Sequence, residues 1–257
     1  MRALAGAYRV VAIAALFSIF GIGALVLSLV FFPAIGLLLK GEKRRRACRA
    51  LTSLSFRIFL RFCSLTRLLS LECEGALPHG ASGQLFIANH PSLLDYVILC
   101  SMIPDCGCLI KASLTKNPFI RGVISGCGYI PNGGDPASTV GAMAAALESG
   151  QNFLIFPEGT RTRVGAPMHM HHGFARAALA SRCPIACAHI DYSGRALRKG
   201  APFYFAYYGK SEYHVEFFRP FSTIDFIKRH GGGQECSLAR SLAQLAGQKL
   251  SAQAQQA

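Results

Sequence analysis

The hydrophobic pattern opens with thirty uncharged residues, Val10 to Leu39. That is longer than the roughly 20 an α-helix needs to cross the hydrocarbon core of a bilayer. Pro33 and Gly36 could end or kink the helix, and Gly21 with Gly23 would permit a re-entrant hairpin instead. A cleaved signal peptide fits poorly, because the run is too long and no small-residue cleavage site precedes the basic cluster Lys40, Lys43, Arg44, Arg45, Arg46 and Arg49. Over 43–70, Leu51, Leu54, Ile58, Phe62, Leu65 and Leu69 recur at intervals of three and four, with Arg46, Arg49, Arg57, Arg61 and Arg67 off the stripe. This predicts a basic amphipathic helix lying on anionic lipid; the alternative is a stripe packed on the domain, with the arginines solvated. From residue 71, short apolar runs alternate with helical patterns. Strands are predicted near 84–89, 107–111, 127–131, 152–156, 184–190, 202–208 and 213–219, and helices near 92–101, 136–149, 173–181 and 236–250. Asp135-Pro136 opens one helix and Gly150 closes it. The alternation predicts an α/β fold, a mixed sheet flanked by helices, behind an N-terminal membrane-anchoring helical segment. The expected organisation is an anchor over 1–42, an interfacial helix over 43–70 and a globular domain over 71–257, with a fraying end from Ser251 to Ala257.

Composition agrees with one domain plus an anchor: 257 residues, 51% hydrophobic, no tryptophan, and mean hydropathy +0.33. Of the net charge of +14, residues 1–70 contribute +10, from eleven lysines and arginines against Glu42 alone. The excess therefore sits beside the anchor and points to a lipid surface. Nucleic-acid binding would need a basic aromatic surface in the later part, and none is evident. The ten cysteines form no C-x-x-C pairs and read as small apolar residues; Cys48, among arginines, is a lesser candidate for palmitoylation.

Candidate chemistry lies where strands end. Gln84 to Ala88 reads as a buried strand running into Asn89-His90-Pro91-Ser92-Leu93-Leu94-Asp95, with Pro91 suited to the first helical position. Asp95, one turn on, can accept a hydrogen bond from one ring nitrogen of His90, fix the tautomer and raise the basicity of the other. Alone, this spacing is also what a capping histidine beside a solvated acid produces. A second strand, Asn152 to Phe156, opens into Pro157-Glu158-Gly159-Thr160-Arg161. Here Gly159 allows close backbone approach and Arg161 offers a fork suited to phosphate. His169-Met170-His171-His172 lacks accompanying carboxylate or cysteine spacing and reads as a polar loop, not a metal site.

Together, Asn89-His90-x-Ser92-x-x-Asp95 and Phe156-Pro157-Glu158-Gly159-Thr160-Arg161 resemble the glycerolipid acyltransferase family of the bacterial 1-acyl-sn-glycerol-3-phosphate acyltransferase type. Lys111-x-x-Leu114 with Pro118, Gly122 and Gly126 resembles its connecting segment. The resemblance implies that His90 is the general base activating an acceptor hydroxyl and Asp95 its orienting acid. It also implies that Glu158, Gly159, Thr160 and Arg161 bind the acceptor, and that Lys111 contacts phosphate or an oxyanion. The chain departs from the pattern in three places. Asn132-Gly133-Gly134 stands where an arginine is usual, Cys187 replaces a second proline, and His172 replaces a lysine before Gly173.

The implied activity is O-acyl transfer from an acyl-CoA or acyl-carrier-protein thioester to lysophosphatidic acid, giving phosphatidic acid. No cofactor and no metal are expected, because the thioester is already activated. The alternatives are the same chemistry on another lipid or polyene hydroxyl, a thioester or lipid hydrolase, and a catalytically silent membrane partner. The expected partners are the lipid membrane, the acyl donor and a lysophospholipid-type acceptor. By the positive-inside rule, the basic cluster puts the catalytic domain on the cytoplasmic side of the inner membrane.

Overall fold

The computed structural model describes residues 2–161, 170–202, 204–205, 209–231 and 234–251. The apolar run forms α1 (Arg2–Val26), a π-helical turn (Leu27–Phe31) and α2 (Phe32–Leu38). Together, Leu4–Leu38 contains an 18-residue window of mean hydropathy 2.7 and is long and apolar enough to cross a membrane. The π-helical turn falls where Pro33 removes a backbone donor and crowds the preceding turn. Gly21 and Gly23 lie inside α1, so no re-entrant hairpin forms there. One face of the helix is docked on the domain. Tyr8 Oη donates to Thr66 O (3.2 Å), Ile13 and Leu16 join the core, and Phe20 meets Phe56 and Phe59 with ring centroids 6.0 and 5.3 Å apart. Near its end, a Cβ on Gly126 would fall 2.4 Å from the Phe32 ring, so only glycine admits this close helix contact.

α3 (Gly41–Leu65) turns the expected stripe outward. It buries Cys48, Arg49, Thr52, Ser53, Phe56, Leu60 and Cys63, while Leu54, Ile58, Phe62 and Leu65 remain 45–81% exposed. Those four residues do not pack on the domain. Arg49 is not solvated as its place off the stripe suggested. It is 3% exposed, its Nε donates to Asp105 Oδ1 (2.7 Å), its Nη1 donates to Cys127 O (2.9 Å), and its Nη2 bonds Glu42. Cys48 is fully buried, which removes it as an acylation site. The helix ends at Leu65, five residues before the expected limit. Arg67 turns the chain with φ +54°, and Leu69 enters an unforeseen strand, β1 (Leu69–Gly75).

The strands that follow are β2 (Leu85–Ala88), β3 (Cys106–Lys111), β4 (Ile130–Asn132), β5 (Asn152–Ile155), β6 (Ile185–Tyr192) and β7 (Ser211–Phe217). They form one sheet in the order β1-β7-β6-β2-β5-β3-β4. β6 and β7 pair antiparallel and every other pair is parallel, so the sheet is mixed as expected. Alternate residues of the central strands face two cores. Phe86, Ala88, Leu154 and Ala186 face α1, α3 and α4 (Asp95–Met102); Leu85, Ile87, Phe153 and Ile185 face α6 (Pro136–Glu148), α7 (Gly173–Ser181) and α9 (Glu235–Ser251). Because both faces are covered, these strands read as continuous apolar runs.

Local differences have local causes. The strand expected over 127–131 is replaced by α5 (Arg121–Cys127), a Gly128 cap at φ +69°, and the three residues of β4. Short apolar runs at that length do not separate strand from helix. Tyr204 and Phe205, expected in a strand over 202–208, lie in a 3₁₀ turn, while 203 and 206–208 fall outside the described residues. α8 (Thr223–His230) was not expected; Ser222 caps it by accepting from Asp225 N–H (3.1 Å). Asp135 caps α6 by accepting from Ser138 N–H (2.8 Å), as the sequence indicated. His169 and the tail from 252 lie outside the described residues.

Candidate active site

β2 runs parallel between β5 and β6, so the segments leaving the C-terminal ends of these three strands meet above it. This is where open α/β sheets collect ligands. Asn89 locks the end of β2 onto β6. Its Nδ2 donates to Ile190 O (2.8 Å), and its Oδ1 accepts from Ile190 N–H (2.7 Å). Spacing along the chain assigns Asn89 no separate role, because the partner lies 101 residues away.

His90 follows, and its Nδ1 lies 2.8 Å from Asp95 Oδ2. Asp95 is fully buried, whereas the His90 side chain is 20% exposed. The same Oδ2 accepts Ser92 N–H (2.7 Å), and Oδ1 accepts the Ser92 hydroxyl. A carboxylate surrounded by donors is an acceptor on both oxygens, so the hydrogen-bond network assigns the proton to His90 Nδ1. Nε2 is then the ring position that can take a proton. The Ser92 and Tyr213 hydroxyls are 2.8 Å apart, and burial pushes the Tyr213 phenol well above its ordinary range, keeping it protonated. Ser92 and Tyr213 therefore back up the pair, and neither was singled out by spacing.

The capture of Ser92 by Asp95 also corrects the helix start. Pro91 to Leu94 form a turn and α4 opens at Asp95, whose carboxylate lies at the helix N-terminus.

The second block comes to the same corner. The Phe156 ring stacks on His90, centroids 4.2 Å apart and planes 20° from parallel. Glu158 Oε1 accepts His90 N–H (3.3 Å), joining the two motifs directly. Gly159 has φ +66°, and a Cβ there would come 3.3 Å from the His171 ring, so glycine suits both its backbone and its neighbour. His171 itself is tied back through its N–H to Pro157 O (2.9 Å).

Arg161 Nη1 donates to Leu197 O and Arg198 O, each at 3.0 Å. Part of the fork expected to face an acceptor is therefore used internally. Lys111 ends β3 and is exposed; β5 separates β3 from β2, and the register pairs Lys111 with Asn132. The structure thus gathers His90, Asp95, Glu158, Gly159, Thr160 and Arg161 at one corner, with Lys111 farther along the same edge.

The segment Ser193–Gly200 after β6 was missed entirely. Leu197 O accepts Leu93 N–H (3.0 Å) as well as Arg161, so this strap joins both motif loops. Lys199 Nζ donates to Thr160 Oγ1 (2.8 Å). The Arg195-x-x-Arg198-Lys199 cluster was its only sequence signal. Beside the strap, Leu94 and Leu197 line an apolar cavity of about 30 Å³ with Ile13, Leu16 and Phe17 of α1 and Phe59 of α3.

Comparison with known proteins bears on the fold and the family. The Acyltransferase family model matches residues 70–191. A 1-acyl-sn-glycerol-3-phosphate acyltransferase of Limnanthes douglasii is 27% identical over 139 residues, covering 51% of this chain and 49% of that protein. A chloroplastic 1-acyl-sn-glycerol-3-phosphate acyltransferase of Arabidopsis thaliana is 29% identical over 101 residues, covering 38% and 28%. The matched region thus spans about half or less of these curated relatives. The crystal structure of the 1-acyl-sn-glycerophosphate (LPA) acyltransferase PlsC from Thermotoga maritima shares the fold, with TM-score 0.66 over 98% of both chains at 15% identity.

Proposed function

We propose that the chain, whose residues 70–191 match the Acyltransferase family model, is a glycerolipid acyltransferase that transfers a fatty acyl group from an acyl-CoA or acyl-carrier-protein thioester to the free hydroxyl of lysophosphatidic acid. The observation that carries this reading is the His90 Nδ1 to Asp95 bond of 2.8 Å, set beside the Glu158–Arg161 turn at one sheet edge. Asp95 holds the imidazole with Nε2 as base. His90 takes the proton as the acceptor oxygen attacks the thioester carbonyl; the tetrahedral oxyanion then collapses, the carbon–sulfur bond breaks, and the thiolate takes the proton back. No covalent enzyme intermediate and no resident cofactor are needed, since the thioester supplies the activation and the site supplies position and one proton transfer.

The setting supports a lipid acceptor. Leu54, Ile58, Phe62 and Leu65 of α3 and several apolar side chains of α1 are exposed, and α3 begins with a run of basic residues. Such a surface would lie in the headgroup region and hold the domain on the cytoplasmic face of the membrane. Contacts with the domain at Tyr8 of α1 and Phe32 of α2 support a reading in which the apolar segment and the domain meet the bilayer together. Leu94, next to Asp95, and Leu197 of the strap line a small apolar cavity with α1 and α3.

The test is transfer from labelled palmitoyl-CoA and palmitoyl-carrier protein to lysophosphatidic acid by detergent-solubilised protein, with His90→Ala as control. Phosphatidic acid formed only by the wild type supports the reading. Thioester consumption that depends on His90 but yields no phosphatidic acid redirects the chemistry to another hydroxyl, and free fatty acid as the main product would make the protein a hydrolase.

A further inference from the structure

The cation expected at 132–134 is replaced by Asn132-Gly133-Gly134, and Asn132 lies on edge strand β4. The other flank of β2 carries the strap. Its backbone is tightly specified: Leu197, 7% exposed, has φ +67°, an uncommon conformation for a non-glycine residue, and its carbonyl serves Leu93 N–H and Arg161 together. Arg198 is used internally. Its Nε donates to Gly194 O (2.8 Å), its Nη2 donates to Tyr192 O, and its guanidinium lies 5.0 Å from the centroid of the Tyr192 ring.

Lys199 differs. It is exposed, and its ammonium donates to Thr160, a neutral hydroxyl; among the described residues no carboxylate lies within ion-pair distance of it. An ammonium has three donors, so two lie outside that bond. Arg161, next to Thr160, has Nε and Nη2 outside its strap bonds. Two cations thus meet at one turn: Lys199, bonded to Thr160, and Arg161, the next residue of the turn, held by the strap carbonyls. A phosphate monoester carries about −1.5 to −2 charge at neutral pH and offers three acceptor oxygens, which matches two cations and a hydroxyl better than a carboxylate does.

We propose that Lys199 is a specificity-determining residue which, with Arg161 and Thr160, receives the phosphate monoester of the acyl acceptor, so that this anion sits between the turn after β5 and the strap after β6. The inference rests on the reading of the site as a glycerolipid O-acyltransferase and adds the residue by which it selects a phosphorylated acceptor. The first measurement is kcat/KM for lysophosphatidic acid and for 1-monoacylglycerol, which lacks the phosphate, in the wild type, Lys199→Ala and Lys199→Arg. Loss of one charged hydrogen bond should lower the preference for lysophosphatidic acid by about 10- to 100-fold in Lys199→Ala, and Lys199→Arg should keep most of it. An unchanged preference in Lys199→Ala overturns the proposal and leaves the acyltransferase reading standing.

The second measurement does not depend on turnover. Amine-reactive footprinting by mass spectrometry is run on the full chain, with and without millimolar sn-glycerol 3-phosphate, and glycerol serves as the neutral control. Protection of Lys199 by the phosphate alone supports the anion site even if lysophosphatidic acid is not acylated; equal labelling under all conditions overturns it.

Discussion

Asp95→Asn separates the charge of the site from its shape. Oδ2 accepts two donors, His90 Nδ1–H at 2.8 Å and Ser92 N–H at 2.7 Å, so the amide oxygen of the replacement takes that position. The amide nitrogen then faces Ser92 Oγ, which rotates to accept it and donates to the Tyr213 hydroxyl 2.8 Å away. His90 Nδ1–H and Ser92 N–H keep their acceptor and His90 keeps its tautomer, which limits the cost to folding. What disappears is the negative charge facing the imidazolium that forms as the acceptor is deprotonated. Two unit charges 2.8 Å apart interact by about 6 kcal/mol at an effective dielectric of about 20. With proton transfer roughly half complete in the transition state, about 3 kcal/mol is lost, on the order of a hundredfold in kcat. Steady-state acyl transfer measures the rate, and thermal unfolding checks that the variant is intact. A fall of less than about fivefold in a fully folded variant would refute the electrostatic role assigned to Asp95.

Two further predictions concern the frame of the site. Arg49→Met leaves Asp105 and Glu42 facing an apolar side chain; the side chain of Arg49 is only 2% exposed, so the cost should reach about 3 kcal/mol, read as a lower denaturant midpoint, and a midpoint equal to wild type would show that the network contributes nothing. The thiols should be nearly inert: all ten are free and only Cys236 is exposed, while burial pushes Cys63 and Cys73 up to about 11 and Cys127 and Cys187 up to about 12. Since the thiolate is the reactive form, labelling at pH 8 should give one fast equivalent in the native protein and ten after denaturation; several fast equivalents in folded protein would contradict the described packing.

What could be read in advance divides along the range of the interactions. Periodicity located β2, β5, α6, α7 and α9 because burial on both faces of a central strand, or one face of a helix, is written in residues close along the chain. Capping at Asp135 and the glycine at 159 are local in the same sense. β1 was hidden inside a helical pattern, since Leu69 continues a three-and-four spacing that ends physically at Leu65. The outward stripe of α3 was legible as a stripe but not in its direction, because amphipathicity says that one face is apolar and not what covers it. The buried Arg49 could not be found from its own helix, as its carboxylate at Asp105 and its carbonyl at Cys127 come from distant segments.

The site follows the same rule. From the sequence alone came the proposed general-base pair, His90 and Asp95, five residues apart, and a polar turn carrying Glu158 and Arg161. Both are short-range chemistry that a strand end displays. Only the tertiary structure decided how the pieces meet: Asn89 locked onto β6, Ser92 and Tyr213 behind Asp95, Glu158 on the His90 backbone, and a strap from β6 that occupies part of Arg161 and brings Lys199 to Thr160. The reason is sheet order. β2 lies between β5 and β6, strands that follow it by many residues in sequence, and pairing across a parallel sheet sets contacts that spacing along the chain cannot encode.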